Sequence, residues 1–182
     1  FLIFDEFDID RRGKNMATSI AALPILAFAV GFFGVSLLLL GKGEAKATLW
    51  GAFFVGVVAF IVAFMQYAGL GMAPDYLSAT INGVAGMVFM IVGAQLWGAD
   101  GKAVGYVVLW NGLFLLIAGL YVLTLGAQYI GIAVVIFGLL CWIGNLPTFT
   151  GVSAKGVGYL HLLLVAIASI IGWGLMIGYF PA

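Results

Sequence analysis

The most prominent feature of the chain is a series of six apolar segments, each about as long as a membrane crossing. A helix rises about 1.5 Å per residue, so about 20 apolar residues cross the roughly 30 Å of hydrocarbon in a bilayer. The segments are apolar on every face and lack the alternation of a β-barrel strand, which favours helices. They are Ile20–Leu40, Thr48–Leu70, Leu77–Trp97, Val104–Leu125, Tyr129–Leu146 and Val157–Phe180.

The residues between these segments are too few to form a core of their own. Because the links are short, consecutive helices are expected to be antiparallel neighbours. We therefore predict an all-α membrane protein with one six-helix transmembrane domain over residues 17–182. Residues 1–16 form a polar or interfacial segment, whose first ten positions alternate bulky apolar residues with acids. That pattern suits an interfacial strip, a contact with another subunit, or a frayed tail.

Composition agrees with a membrane environment. Hydrophobic residues make up 65% of the 182 residues and charged residues only 8%, whereas a soluble domain has about 25% charged residues. The formal net charge is zero and no basic block occurs, so nucleic-acid binding is not expected. Cys141 is the only cysteine, which excludes an internal disulfide and a cysteine-based metal site.

An internal repeat is centred on three links that carry a lysine. Lys46, Lys102 and Lys155 lie 56 and then 53 residues apart, and each is followed four residues later by an aromatic residue. Periods of this length are typical of duplicated supersecondary units. We predict three helical hairpins around a pseudo-threefold axis, formed by helices one and two, three and four, and five and six. The aromatic residues are expected at the depth of the lipid headgroups. They are Trp50, Tyr106 and Tyr159.

The distribution of lysines predicts an orientation. Lysines occur in the links after segments one, three and five, and the other two links have no lysine or arginine. Since positive residues near helix ends tend to stay cytoplasmic, we predict an inner-membrane protein with both termini outside. Three basic residues before the first segment favour the opposite orientation by nearly the same count. The lysines are Lys42, Lys46, Lys102 and Lys155, and the opposing residues are Arg11, Arg12 and Lys14.

Charged side chains are missing from all six segments. Such groups are costly inside a bilayer and are usually functional there. Their absence leaves no carboxylate pair, no nucleophile beside a base and no series of ionisable groups for proton coupling. We therefore expect no enzymatic activity, no cofactor and no metal site.

Uncharged polar residues remain in the segments. Amides can hydrogen-bond a neutral polar solute, which costs far less to desolvate than an ion. For each of them the alternative is an interhelical hydrogen bond without any transport role. His161 is the sole ionisable residue inside a segment, and it is either a neutral structural imidazole or a pore-lining or pH-sensing group. The polar residues are Gln66, Ser78, Thr80, Asn82, Gln95, Asn111, Thr124, Asn145, His161 and Ser169.

Small residues form stripes on the third and sixth segments. They let helices approach closely, where lipid offers no hydrophobic drive to associate. We therefore predict that both stripes are buried against protein. They consist of Gly83, Gly86, Met90 and Gly93, and of Gly158, His161, Val165, Ala168 and Gly172.

Several motifs resemble those of a known family. They are Gly34-Val-Ser-Leu-Leu-Leu-Leu-Gly41, Leu49-Trp-Gly-Ala-Phe-Phe-Val-Gly56, Trp97-Gly-Ala-Asp-Gly-Lys102 with Tyr106, and Leu109-Trp-Asn-Gly-Leu-Phe114. Together with the six segments, they resemble the urea channels and short-chain amide transporters found beside urease and amidase genes. The resemblance covers most of the chain from about residue 28 onward. It implies a homo-oligomer, with a hexameric ring as the family pattern, and passive passage of urea or a simple amide.

The resemblance also implies where a pore runs. The family's conserved glutamate in the last helix corresponds to the region of Leu164, with His161 one turn earlier. Its constriction tryptophans in the fifth helix correspond to Phe137 and Cys141, and Trp142 is the only indole there. Acid-activated members carry histidines in an outside loop, whereas the link over residues 71–76 has none. Independently of the resemblance, a pore along the pseudo-threefold axis would be lined by the polar or aromatic groups placed deepest in helices three to six. The predicted pore residues are Asn82, Trp110, Asn111, Phe137, Trp142, His161 and Leu164.

Two other functions are compatible with the sequence. One is a non-catalytic structural or accessory subunit of a larger membrane protein complex, which the missing pore signatures and the N-terminal segment favour. The other is a transporter for a different small solute, such as a weak acid or ammonia. Neither periodicity nor spacing chooses between these functions and an amide channel.

Overall fold

The computed structural model describes residues 22–70 and 74–181, and six helices in these ranges are long and apolar enough to cross a membrane. No strand occurs in the described ranges. The protein is therefore an all-α, multi-pass membrane protein, as the hydropathy pattern predicts. The predicted segment 1–16 and the predicted start of the first helix at Ile20 lie outside these residues. The helices are α1 Ala22–Leu39, α2 Ala45–Ala68, α3 Tyr76–Gly93, α4 Gly101–Thr124, α5 Gln128–Thr150 and α6 Ala154–Met176.

The helix ends are marked by residues that suit them. A glycine with positive φ follows each helix, in the case of α3 after the 3₁₀ turn Ala94–Trp97. Only glycine enters this left-handed region at no steric cost, so the chain turns there. Asp75 and Asp100 cap the starts of α3 and α4 by accepting hydrogen bonds from Ser78 N and Ala103 N. The six glycines are Gly41, Gly69, Gly98, Gly126, Gly151 and Gly178.

Several helices extend beyond the apolar segments. Lys46, Lys102 and Lys155 are each the second residue of a helix, in α2, α4 and α6. A helix can continue past the hydrocarbon at these positions, because a lysine side chain can extend its ammonium group into water. α5 continues past Pro147 to Thr150. Hydropathy alone therefore predicts helices that are a few residues too short at the starts of α2, α4 and α6 and at the end of α5.

Among α2 to α6, the closest packing joins α2 to α3 and α4 to α5. A Cβ atom on Gly56 would lie 2.6 Å from the Gly86 carbonyl oxygen, and one on Gly138 would lie 2.8 Å from the Gly112 carbonyl oxygen. Small residues are thus needed where these backbones meet. α6 contacts α1 through side chains, with Gly172 against Leu26 and Ile25. The pairs α2–α3 and α4–α5 each join two neighbouring repeat units, and both pack more closely than the predicted hairpins α3–α4 and α5–α6.

The repeat is visible in the buried positions of the even-numbered helices. Six positions at the same distances from the repeat lysine are buried in α2, α4 and α6, and they are spaced three or four residues apart on one helix face. The lysine register predicted from sequence therefore also describes the interior. The positions are Thr48, Ala52, Gly56, Ala59, Ala63 and Gln66 in α2; Val104, Val108, Gly112, Leu115, Gly119 and Val122 in α4; and Val157, His161, Val165, Ala168, Gly172 and Leu175 in α6.

All five residues of the predicted small-residue stripe on the sixth helix are buried. On α3, Gly86 and Gly93 are buried, whereas Gly83 and Met90 are partly covered. The aromatic residues that follow the repeat lysines point outward and stay exposed. They are Trp50, Tyr106 and Tyr159.

Candidate functional site

The odd-numbered helices contribute two layers of side chains to the middle of the bundle. The first layer contains Phe28 of α1, Ala85 of α3 and Phe137 of α5. The second layer contains the residues four positions later in each helix, and these six side chains are all buried. Four residues are about one helical turn, so the two layers lie on top of each other. The second-layer residues are Phe32, Phe89 and Cys141.

Four phenylalanine rings of these layers form one contiguous set, here called the phenylalanine cluster. Phe32 and Phe89 meet edge to face with ring centroids 4.8 Å apart, and Phe28 and Phe137 do so at 5.5 Å. The layers are joined by stacking of Phe28 on Phe89 at 5.5 Å and of Phe32 on Phe137 at 5.8 Å. These distances are those of rings in direct contact. The cluster is therefore a contiguous apolar contact between α1, α3 and α5.

A large cavity of about 510 Å³ lies on the side of the second layer. It extends from the exposed residues Asp100 and Lys102, at the start of α4, to the buried His161. Phe32, Phe89 and Cys141 belong to its lining. Its wall therefore combines the apolar second layer with uncharged hydrogen-bonding groups. The uncharged polar residues of the lining are Thr48, Gln95, Asn145, Thr148 and His161.

His161 is fully buried at the inner end of the large cavity. Its Nδ1 lies 2.8 Å from Oγ of Ser36 on α1, and Ser36 Oγ in turn lies 2.9 Å from the Phe32 carbonyl oxygen. Its ring also meets the Phe32 ring, with centroids 5.6 Å apart. Among the described residues, Nε2 has no hydrogen-bond partner. A Cβ atom on Gly144 of α5 would lie 3.2 Å from Nε2, so this nitrogen faces a gap that a glycine leaves open.

A small cavity of about 30 Å³ lies on the opposite side, against the first layer. Phe28, Ala85 and Phe137 line it, as do Gln66 and Asn82. This volume holds about one or two water molecules. Asn82 Nδ2 donates to Gln66 Oε1 at 2.8 Å, which links α3 to α2. The two cavities are therefore separated by the phenylalanine cluster, and each ends on one of its layers.

Polar side chains break the repeat at three of its buried positions. Thr48, Gln66 and His161 stand where the equivalent residues of the other even helices are apolar or small. Each contacts an odd-numbered helix, and Thr48 does so through a long hydrogen bond of 3.4 Å from Oγ1 to the Gly34 carbonyl oxygen. All three line a cavity. The positions at which one repeat unit has a polar residue and the other two do not thus coincide with the cavities.

Of the sequence-predicted pore residues, Asn82 and Phe137 line the small cavity and His161 lines the large one. Leu164 is partly buried against the core. The other three lie on α4 and α5 outside both of these linings. Trp110 is 73% exposed and Trp142 is 42% exposed, while Asn111 Nδ2 donates to the Val107 carbonyl oxygen of its own helix. The predicted polar residues Gln66, Ser78, Gln95 and Asn145 also line the cavities.

Five residues of the site were not predicted from the sequence: Ser36, Thr48, Phe28, Phe32 and Phe89. A usable signal was the spacing of four residues that aligns Phe28, Phe32 and Ser36 on one face of α1. That spacing marks a common face, but in a segment that is apolar all round it does not tell whether the face points to protein or to lipid.

Comparisons with protein-family models, with curated proteins and with solved structures find no match to this chain. The cavities, the cluster between them and the residues that line them are therefore the observations from which function is inferred.

Proposed function

We propose that this protein is a passive channel or facilitator for small uncharged amides, such as urea or acetamide. One observation carries the proposal: two cavities, each with uncharged polar groups in its lining, end on opposite layers of a single phenylalanine cluster. The cluster is only two side-chain layers thick, or about one helical turn. A small solute that passes it moves from one cavity to the other.

The chemistry of the linings supports a neutral solute. Deep in the bundle the polar groups are amides, hydroxyls and one imidazole, and the charged residues Asp100 and Lys102 of the large cavity are exposed. Desolvating an ion next to four phenylalanine rings is far more costly than desolvating an amide, whose hydrogen bonds these groups can replace. Transport is then driven by the concentration gradient alone.

We extend the proposal to the family pattern described above. The motif resemblance supports a homo-oligomer, with a hexameric ring as the expected arrangement, in the inner membrane. The lysine distribution supports cytoplasmic lysine-bearing links and outside termini. In that orientation the large cavity, which begins at Lys102, opens towards the cytoplasm.

Flux through proteoliposomes tests the proposal. Vesicles that contain the protein should take up urea and acetamide faster than protein-free vesicles, as measured by stopped-flow light scattering, and should remain impermeable to sodium and chloride. If the cluster is the barrier, Phe89→Ala should raise the amide flux several-fold because it shortens one second-layer side chain. Phe64→Ala is the matched control, since Phe64 is 62% exposed on the outer face of α2.

The channel would be rejected if neither the wild type nor Phe89→Ala passes any tested amide faster than protein-free vesicles do. In that case the accessory-subunit function takes its place. The direct contact of the four rings favours this second candidate, because it closes the centre of the protomer. Co-purification of a fixed partner from the native membrane is the observation expected of an accessory subunit.

A further inference from the structure

We propose that Nε2 of His161 is a hydrogen-bond acceptor site that binds an N–H group of the solute in the large cavity. The inference deepens the proposed function and rests on it in taking that solute to be an amide. It identifies one protein atom, Nε2, as the acceptor for the N–H group of the amide. Its consequence is selectivity for primary amides and urea over carbonyl compounds of the same size that have no N–H.

The hydrogen bonds of Ser36 favour Nδ1 as the ring nitrogen of His161 that carries the proton. A serine hydroxyl has one proton to donate and can also accept. Ser36 Oγ lies within hydrogen-bond distance of both the Phe32 carbonyl oxygen and His161 Nδ1, at 2.9 and 2.8 Å. The carbonyl can only accept, so both contacts are satisfied together only when Ser36 donates to Phe32 and His161 Nδ1–H donates to Ser36. In a neutral imidazole, Nε2 then has a free lone pair.

The position of Nε2 makes this lone pair suitable as a binding site for a hydrogen-bond donor. The nitrogen is buried and has no hydrogen-bond partner in the described part of the chain, and an unpaired buried acceptor costs about 1–3 kcal/mol. The gap beside it is left by Gly144, and both residues line the large cavity. A ligand N–H that enters this gap would satisfy the acceptor.

Two amides in the same cavity present acceptors as well. Gln95 Nε2 donates to the Val92 carbonyl oxygen and Asn145 Nδ2 donates to the Cys141 carbonyl oxygen, both within their own helix segment. Their oxygens lie against the cavity-lining glycines Gly101 and Gly105, where added Cβ atoms would be 3.4 and 3.0 Å away. A cavity with several acceptors suits a solute with several N–H donors, such as urea or a primary amide.

Nitrogen NMR observes this atom directly. His161 is the only histidine in the chain, so ¹⁵N-histidine labelling of the tag-free protein in nanodiscs gives one pair of ring signals. Nδ1 should have the chemical shift of a protonated nitrogen and Nε2 that of an unprotonated one. Acetamide should change the Nε2 shift in a saturable manner. Acetone is the matched probe, because a methyl group replaces the NH₂ group, and it should leave the shift unchanged.

Gly144→Ala tests the approach to Nε2 without removing the imidazole. The added methyl group should weaken acetamide binding by roughly tenfold, the equivalent of one lost hydrogen bond, and should leave the proton on Nδ1. Gly156→Ala is the matched control, since nothing lies within 4 Å of a Cβ atom there. A protonated Nε2, an equal response to acetone, or no response to acetamide would each overturn the site. Amide flux without any Nε2 response would reject the site alone, and an Nε2 response without flux would reject the channel alone.

Discussion

At the scale of single residues, buried hydrogen bonds between helices account for the polar side chains of the interior. Gln66 is only 2% exposed and accepts from Asn82 Nδ2. Ser36 and His161 form the corresponding contact between α1 and α6. In membrane proteins such bonds contribute about 0.6 kcal/mol on average and up to about 1.7. Loss of one partner costs more, because the other is left buried and unpaired.

The Gln66–Asn82 pair gives a prediction at this scale. Asn82→Leu should lower the free energy of unfolding by about 1–3 kcal/mol, because it leaves the Gln66 amide buried without its partner. The double variant Gln66→Leu/Asn82→Leu should lose less than the sum of the two single variants. Thermal unfolding in detergent measures all three. Asn111→Leu is the control, since Asn111 bonds only within its own helix, and a loss as large as that of Asn82→Leu would contradict the prediction.

At the scale of helices, glycines determine which pairs pack closely. α4 and α5 approach so closely at Gly112 and Gly138 that a Cβ atom on Gly138 would lie 2.8 Å from the backbone nitrogen of Leu116. Backbone atoms cannot yield as a flexible side chain does, so the pair has to separate if a methyl group is added. The same holds for Gly56 between α2 and α3. The repeat is thus maintained by close contacts between one unit and the next.

Gly138→Ala should therefore destabilise the protein by about 1–3 kcal/mol. Gly51→Ala is the matched control, because Gly51 also lies inside a helix but a Cβ atom there would meet nothing within 4 Å. That variant should be neutral or stabilising by about 0.5–1 kcal/mol, since alanine favours the helix. Unfolding midpoints in detergent micelles compare the two. Equal midpoints would show that α4–α5 contact does not depend on Gly138.

At the scale of the whole molecule, the six helices put the lysine-bearing links on one side of the membrane. Lys46, Lys102 and Lys155 each occupy the second position of a helix, where the positive end of the helix dipole disfavours a cation by about 0.3–1 kcal/mol. Helix stability therefore does not explain their position. The positive-inside tendency predicts such a position if these links face the cytoplasm.

Cysteine labelling checks this topology. In a Cys141→Ser background, Lys102→Cys should react with a membrane-impermeant thiol reagent only after the cells are permeabilised. Gln128→Cys, at the exposed start of α5 on the opposite side, should react in intact cells. The reverse pattern would place the lysine-bearing links outside. The large cavity would then open away from the cytoplasm.

The number and approximate bounds of the helices could be predicted from the sequence because they depend on local properties. A membrane crossing needs a run of about 20 apolar residues, and a turn out of the membrane needs a residue such as Gly98 or Gly151 that tolerates positive φ. The register of the three lysines also marked equivalent buried positions, since Ala52, Val108 and His161 each lie six residues after a repeat lysine and are all buried.

Only the tertiary structure decided which side chains share a cavity. Ser36 and His161 are 125 residues apart in sequence, and Phe32, Phe89 and Cys141 come from three different helices. Residue type predicted Trp110 and Asn111 as pore residues, although both lie on α4 outside the two cavities. The physical reason is that lipid is as apolar as a protein core, so hydrophobicity does not distinguish the inward face of a membrane helix from its outward face. That distinction depends on close packing between helices, which is a property of the assembled bundle.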